Sequence, residues 1–178
     1  MISMVFLDAS TIQYGDMDMS PISSLGSLKC YDRTLPEDII DRCRDASVII
    51  TNKVVINSEI MSKLPSLRMI AEAATGYNNI DIAEASHRGI VVANVPGYST
   101  ESVAQLTMTF ILALSSNLVK YNQASHDGTW SSSPLFTLGT WPFIELRGKT
   151  VGIMGYGSIG REVGRLCRSF NMQVVALD

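Results

Sequence analysis

The chain has 178 residues, 46% of them hydrophobic and 17% charged, with a net charge of −3 at pH 7. This composition excludes an intrinsically disordered chain, which combines low hydrophobicity with high charge, and argues against a nucleic-acid binder, which needs a basic face to displace counterions from phosphates. No run of about 18 apolar residues is present to span a membrane, Met1-Ile2-Ser3-Met4 lacks the basic region of a signal peptide, and Cys30, Cys43 and Cys167 are too widely spaced for a metal site or disulfide framework, so a cytoplasmic protein with plain thiols is expected.

At about 100–200 residues per domain, the length allows one domain, or one and part of another. Met4-Val5-Phe6-Leu7 is a strand candidate ending at Asp8. Thr34-Leu35-Pro36-Glu37 is expected to open a helix, with Thr34 as cap and Pro36 in the first turn, placing Ile39, Ile40 and Cys43 on one face. Val48-Ile49-Ile50 is β-branched and reads as a buried strand. A short helix runs from Ser58 to Leu64 and stops at Pro65; Leu67–Ala71 is the next strand. A helix from Asp81 to His87 ends at Gly89, a good left-handed cap position. Ile90-Val91-Val92 is another strand, closed by Asn94-Val95-Pro96-Gly97. This alternation implies a parallel sheet covered by helices on both faces.

A longer helix follows, from Thr100 to Ser115, capped by Ser99 or Thr100 and with Glu101 at the positive end of its dipole. Val103, Leu106, Phe110 and Leu114 form one apolar stripe; Met108, Ile111 and Leu112 form a second. A helix apolar on two faces is expected to be buried between two domains or two subunits. From Lys120 to Glu145 periodicity is lost, and the segment reads as a long irregular arm packed through Trp130 and Trp141. His87, in the last turn of its helix, suits the dipole there. His126, just before Asp127-Gly128, reads as a surface residue.

Thr150–Met154 is a strand that runs directly into Gly155-Tyr156-Gly157-Ser158-Ile159-Gly160. A helix then carries Ile159, Val163, Leu166 and Phe170 on one face, and a second strand, Met172–Leu177, ends at Asp178. Each part answers a need of dinucleotide binding. Gly155 permits the tight turn, Gly157 lets backbone approach a pyrophosphate, and Gly160 lets helix and strand pack closely. Free N–H groups and the helix dipole then hold phosphate. Asp178, 18 residues after Gly160, is placed to accept from ribose hydroxyls, and its charge would oppose a 2′-phosphate, favouring NAD over NADP. Three glycines alone are a weak signal; the strand before them, the amphipathic helix after them and the terminal acid make the signal specific. The bland reading of Asp178 is a strand-end acid that caps a turn.

Several further segments occur in a telling order: Thr51-Asn52-Lys53, Ala74-Thr75-Gly76-Tyr77-Asn78-Asn79-Ile80-Asp81, Arg88–Val92, Asn94–Thr100, Ser102-Val103-Ala104-Gln105 and Glu145–Thr150. With these, the chain resembles the NAD-dependent D-isomer-specific 2-hydroxyacid dehydrogenases, most nearly the glycerate dehydrogenase (hydroxypyruvate reductase) branch. The resemblance implies an α/β protein: a flavodoxin-like parallel-sheet substrate domain over 1–97, then the opening β-α-β unit of a Rossmann nucleotide domain over 98–178, with substrate and nicotinamide meeting between them. It implies that backbone N–H groups of Thr75, Gly76 and Tyr77 hold the substrate carboxylate, the lesser alternative for these residues being a plain β-turn. It implies that Tyr156, Ser158 and Ile159 join the three glycines and Asp178 in holding NAD, and that Thr100 lies beside the nicotinamide. It implies a homodimer through helix 100–115 and arm 120–145, and a small 2-hydroxyacid or 2-oxoacid substrate.

The catalytic Arg, acid and His of the family have no match here. Arg161, Arg165 and Arg168 lie on the fingerprint helix, and neither His87 nor His126 matches the family's proton donor. The expectation is a truncated dehydrogenase, inactive by itself, whose two-stranded nucleotide unit leaves Val151, Ile153, Val174 and Val175 exposed. A non-enzymatic NAD-sensing corepressor-like module is the alternative.

Overall fold

The computed structural model describes residues 2–178, which form two compact units, one ending at Pro96 and the other running from Gly97 to Asp178. In the first, β1 (Ile2–Phe6), β2 (Gly26–Cys30), β3 (Val48–Thr51), β4 (Met69–Glu72) and β5 (Val91–Ala93) make one parallel sheet in the order β2-β1-β3-β4-β5. The register sets Val5 beside Ile49 and Ile49 beside Ile70. Alternation along each strand then divides the core. Val5, Leu7, Ile49 and Ile70 pack against Ile39 and Cys43 of α2 (Ile39–Cys43), Met61 of α3 (Ser58–Ser62) and Ala85 of α4 (Ile82–His87). Phe6, Ile50 and Ala71 point the other way, towards Ile12, Met19, and Ile22 of α1 (Ser20–Ser23). Both faces are covered, as the β-α alternation implies.

Several expected details differ. β2 has no counterpart among the expected strands, because as an edge strand it carries little apolar sequence. Gly26 sits where a Cβ would lie 2.2 Å from the Ile2 carbonyl oxygen, and Lys29 discourages further pairing at that edge. Thr34 does not cap a helix. Its hydroxyl donates to the Leu7 carbonyl instead, and Pro36–Asp38 form a 3-10 turn before α2. By contrast, Asn57 and Asp81 cap α3 and α4, each side chain accepting a backbone N–H at 3.0 Å, from Ile60 and Glu84. Gly89 has φ of +67°.

The second unit opens with α5 (Thr100–Ser115) and α6 (Leu118–His126), joined through Asn117 in the left-handed region at φ 51°. The start of the expected irregular arm is therefore helical; α6 escapes a periodicity reading because it buries only Ala124. Ser99 occupies the N-cap of α5 but makes no side-chain cap bond. Beyond α6 the chain is irregular, and Tyr121 gathers it. The Tyr121 ring meets Trp141 edge-on at 5.2 Å, and its hydroxyl lies 2.9 Å from the Leu138 carbonyl oxygen and 2.7 Å from that of Trp141. No single helix among the described residues is long and apolar enough to cross a membrane.

β6 (Thr150–Met154), α7 (Ser158–Ser169) and β7 (Gln173–Leu177) complete a parallel β-α-β unit. Ala104 and Met108 of α5 and Val163 and Cys167 of α7 pack with Val151, Ile153 and Val174. Those three strand residues are therefore partly covered, contrary to expectation. The bare face is the alternate one, with Met154, Val175 and Leu177. Within the single chain, Ala104 and Met108 of α5 are buried, while Val103, Leu106, Phe110 and Leu114 are exposed.

Candidate functional site

The turn from β6 to α7 is built around its glycines. Gly155 has φ of +87°, a conformation L side chains rarely adopt. Gly160 is fixed by packing, since a Cβ there would lie 2.2 Å from the Gly155 carbonyl oxygen and 3.3 Å from Ile153 Cγ2. Gly157 is different. It is the N-cap of α7 in extended conformation, no side chain caps the helix there, and a Cβ would meet no protein atom within 4 Å. Nothing in the protein itself demands glycine at that position, which fits a cradle kept clear for a close-lying group. The first turn of α7 carries no acid, so its amides and dipole face any anion without competition.

Asp178 closes the other side of this turn. Its Oδ1 accepts the Tyr156 N–H at 3.0 Å, so the carboxylate lies beside the fingerprint; Oδ2 makes no protein hydrogen bond among the described residues. Tyr156 is itself held, its carbonyl accepting from Arg161 Nε at 2.8 Å and its hydroxyl from Arg168 Nη2 at 3.1 Å. Ser158 and Ile159 follow in the first turn of α7. Thr100, at the start of α5, lines a pocket of about 520 Å³ with Ser158 and Arg161. The structure thus gathers Thr100, the fingerprint and Asp178 in one unit.

Thr75, Gly76 and Tyr77 lie in the loop after β4 of the other unit, all exposed. The Thr75 hydroxyl donates to the Val95 carbonyl (3.0 Å), and Asn94 Nδ2 donates to the Thr75 carbonyl (2.8 Å), tying this loop to the one after β5. The three backbone N–H groups donate to no protein acceptor among the described residues. Gly76 has no positive φ, and a Cβ on it would point into open space, so left-handed geometry is not why glycine stands there. The loop is a pinned arch with unspent amides, which is what an anion requires.

A polar cluster below this loop escaped sequence reasoning. Asp8, buried at the end of β1, accepts the Asn52 N–H at 3.0 Å and the Lys53 N–H at 2.6 Å. Glu72, buried at the end of β4, accepts from Asn79 Nδ2 at 2.9 Å, while its Oε1 has no partner among the described residues. Burial raises the Glu72 carboxyl above its ordinary range, the Asn79 bond and Lys53 opposing and Asp8 adding to the rise. Asn79 Nδ2 also reaches the Val54 carbonyl at 3.1 Å, so one side chain ties the loop after β4 to the loop after β3. The available signal was positional: acids directly after apolar strand runs.

The thiols and imidazoles carry no site. Burial pushes the Cys43 thiol up to about 12, against the pull of Arg42, which leaves no thiolate. His87 is exposed, and His126 Nδ1 lies 2.8 Å from the Asn122 carbonyl oxygen. No group of three or more metal-ligating side chains exists among the described residues.

Residues 5–171 match the model of the D-isomer specific 2-hydroxyacid dehydrogenase catalytic domain. The chain is 38% identical to a hydroxypyruvate reductase of Blautia hydrogenotrophica, covering 99% of this chain and 56% of that protein. It is 31% identical to a glycerate dehydrogenase of Methylorubrum extorquens, covering 98% of this chain and 55% of that protein. Among solved structures, D-lactate dehydrogenase from Aquifex aeolicus, complexed with NAD and lactic acid, matches with a TM-score of 0.79 at 27% identity, covering 99% of this chain and 51% of that one. The chain spans about half the length of the curated relatives it matches.

Proposed function

The chain belongs to the D-isomer specific 2-hydroxyacid dehydrogenase family, and from that premise we propose that it supplies the carboxylate loop and the phosphate-gripping half of the cofactor site of an NAD-dependent oxidoreductase. The reaction is hydride transfer between NAD(H) and a D-2-hydroxyacid/2-oxoacid pair, with glycerate and hydroxypyruvate as the favoured pair. The observation that carries this reading is Gly157: an extended, uncapped helix N-cap whose missing Cβ no protein neighbour requires.

The residues divide the work. The amides at the start of α7 take the pyrophosphate, Gly155 and Gly160 hold the turn in shape, and Asp178 Oδ2 accepts from the adenosine ribose while Oδ1 stays on Tyr156. Thr100 borders the nicotinamide. The N–H groups of Thr75, Gly76 and Tyr77 hold the substrate carboxylate and so orient its neighbouring carbonyl. Bound NAD supplies or accepts the hydride. The proton must come from a residue outside this set, since neither histidine belongs to it, and these 178 residues alone are expected not to turn over.

The bare stripe of α5 and the irregular segment after α6, where Phe136 is 95% exposed, support a homodimer that uses these two elements. Homologues named for hydroxypyruvate, glycerate and glyoxylate chemistry support a short, carboxylate-bearing substrate. The test is titration of the chain with NADH and NADPH, followed by nicotinamide fluorescence, then addition of hydroxypyruvate. Saturable binding of NADH, tighter than NADPH, without loss of nicotinamide absorbance is expected; equal binding of the two, or none, contradicts the reading.

A further inference from the structure

The strand order β2-β1-β3-β4-β5 carries a consequence for the first unit that is independent of the dehydrogenase reading. The connection leaving β1 runs to β2 on one side, while the connection leaving β3 runs to β4 on the other. In open parallel sheets this divergence opens a crevice at the carboxyl ends of the two strands, a preferred place for ligands. A pocket of about 470 Å³ lies there, lined by the segments that follow β1, β2 and β3. Its volume falls in the range of small-molecule sites. None of Thr75, Gly76 or Tyr77 lines it.

The pocket is preformed, and its neutral polar groups are already engaged. Ser10 Oγ donates to the Asp32 carbonyl at 2.6 Å, and Thr11 Oγ1 to the Asp8 carbonyl at 2.7 Å. The Asp8 carboxylate is taken by the amides of Asn52 and Lys53. Asn57 is spent as the cap of α3. Two cations at the rim are not engaged: among the described residues, neither the Arg33 guanidinium nor the Lys53 ammonium has an ion-pair partner, and both are exposed. Among the described residues, the Asp32 side chain is the single acid at the rim not already hydrogen-bonded. The apolar lining is aliphatic throughout, comprising Pro36, Ile39, Val54, Val55 and Ile60, and Val55 is 55% exposed.

We propose that this crevice is a second small-molecule site, for a monocarboxylate with a short aliphatic body, whose head pairs with Arg33 and Lys53 while its chain covers Val54, Val55 and Ile60. A guanidinium suits a planar carboxylate, and an aliphatic floor without rings suits a branched or straight alkyl body. Occupancy is felt at the loop after β4, because the Val54 carbonyl on the pocket wall accepts from Asn79, two residues beyond Tyr77.

The test uses the 178-residue chain, isotope-labelled, titrated with 4-methylpentanoate. That probe lacks the 2-oxo and 2-hydroxy groups of a dehydrogenase substrate, so its binding is separable from the reading above. Saturable shifts at the amides of residues 9–11, 33–34 and 53–55 are expected, weakened about tenfold by Arg33→Met or Lys53→Met and for the neutral amide of the same acid. Arg33→Lys is expected to restore part of the loss. Both positions are exposed, so the fold survives these changes. Absence of saturation at tens of millimolar, shifts confined to residues 75–77, or equal binding of acid and amide overturns the proposal.

Discussion

Gly157 and Gly160 are three residues apart and identical in type, yet they are glycine for different reasons. At Gly160 a Cβ collides with the Gly155 carbonyl, so Gly160→Ala is expected to destabilise the second unit by about 1–3 kcal/mol, read as a lowered melting temperature. At Gly157 the space is open and φ is −68°, so Gly157→Ala is expected to leave stability within about 0.5 kcal/mol while weakening NADH binding at least about tenfold. Equal loss of stability in both variants would contradict this distinction. Glu72 supplies a residue-scale pH effect. Its folded carboxyl titrates above the ordinary value of 4.5, chiefly because it is buried. Between those two values the folded state holds the proton more tightly than the unfolded one, so stability falls as pH rises. The cost is absent below about 4.5 and fully felt above the raised value. Urea midpoints measured from acid to neutral pH are expected to decline for the native chain and to lose that component in Glu72→Gln; an unchanged slope contradicts the assignment.

The elements legible in the sequence were those whose periodicity and end signals agree. β3 is a β-branched run, α4 has Asp81 before it and Gly89 after it, and β6-α7-β7 has a glycine turn between alternating strands and a striped helix. β2 and α6 were not legible because neither buries enough of its own side chains to leave a pattern. Thr34 misled because a hydroxyl before a proline-led turn has a competing acceptor, the Leu7 carbonyl, that only the tertiary fold supplies. The apolar character of α5 was legible, but the exposure of its Val103, Leu106, Phe110 and Leu114 stripe in the single chain was not. Exposed apolar stripes of this kind mark association surfaces, and Leu114 is 78% exposed. Phe110→Glu with Leu114→Glu is expected to keep the far-ultraviolet circular dichroism of the native chain and to shift a dimer to monomer in sedimentation, with a melting temperature lowered by the lost association; a monomeric native chain would contradict the proposed dimer face.

Across the whole chain, the candidate site residues are divided between units. The first presents unspent amides on a pinned loop at the carboxyl edge of a five-stranded sheet, with the Asp8 and Glu72 cluster bracing the strand ends beneath it. The second presents a helix N-terminus cleared of side chains and flanked by an acid. Family membership was legible from the ordered motifs, because they record backbone requirements at turns. The bracing cluster was not, because only the register of parallel strands brings Asp8, Glu72 and Asn79 near one another. On the proposed reading, the β6–α7 turn grips a diphosphate while Asp178 holds a ribose. Mapping NAD onto the isotope-labelled chain by amide shifts tests it most directly. Saturable changes at Gly155–Gly160 and Asp178 are expected, much reduced in Asp178→Ala; changes elsewhere only, or none, refute diphosphate binding at this turn.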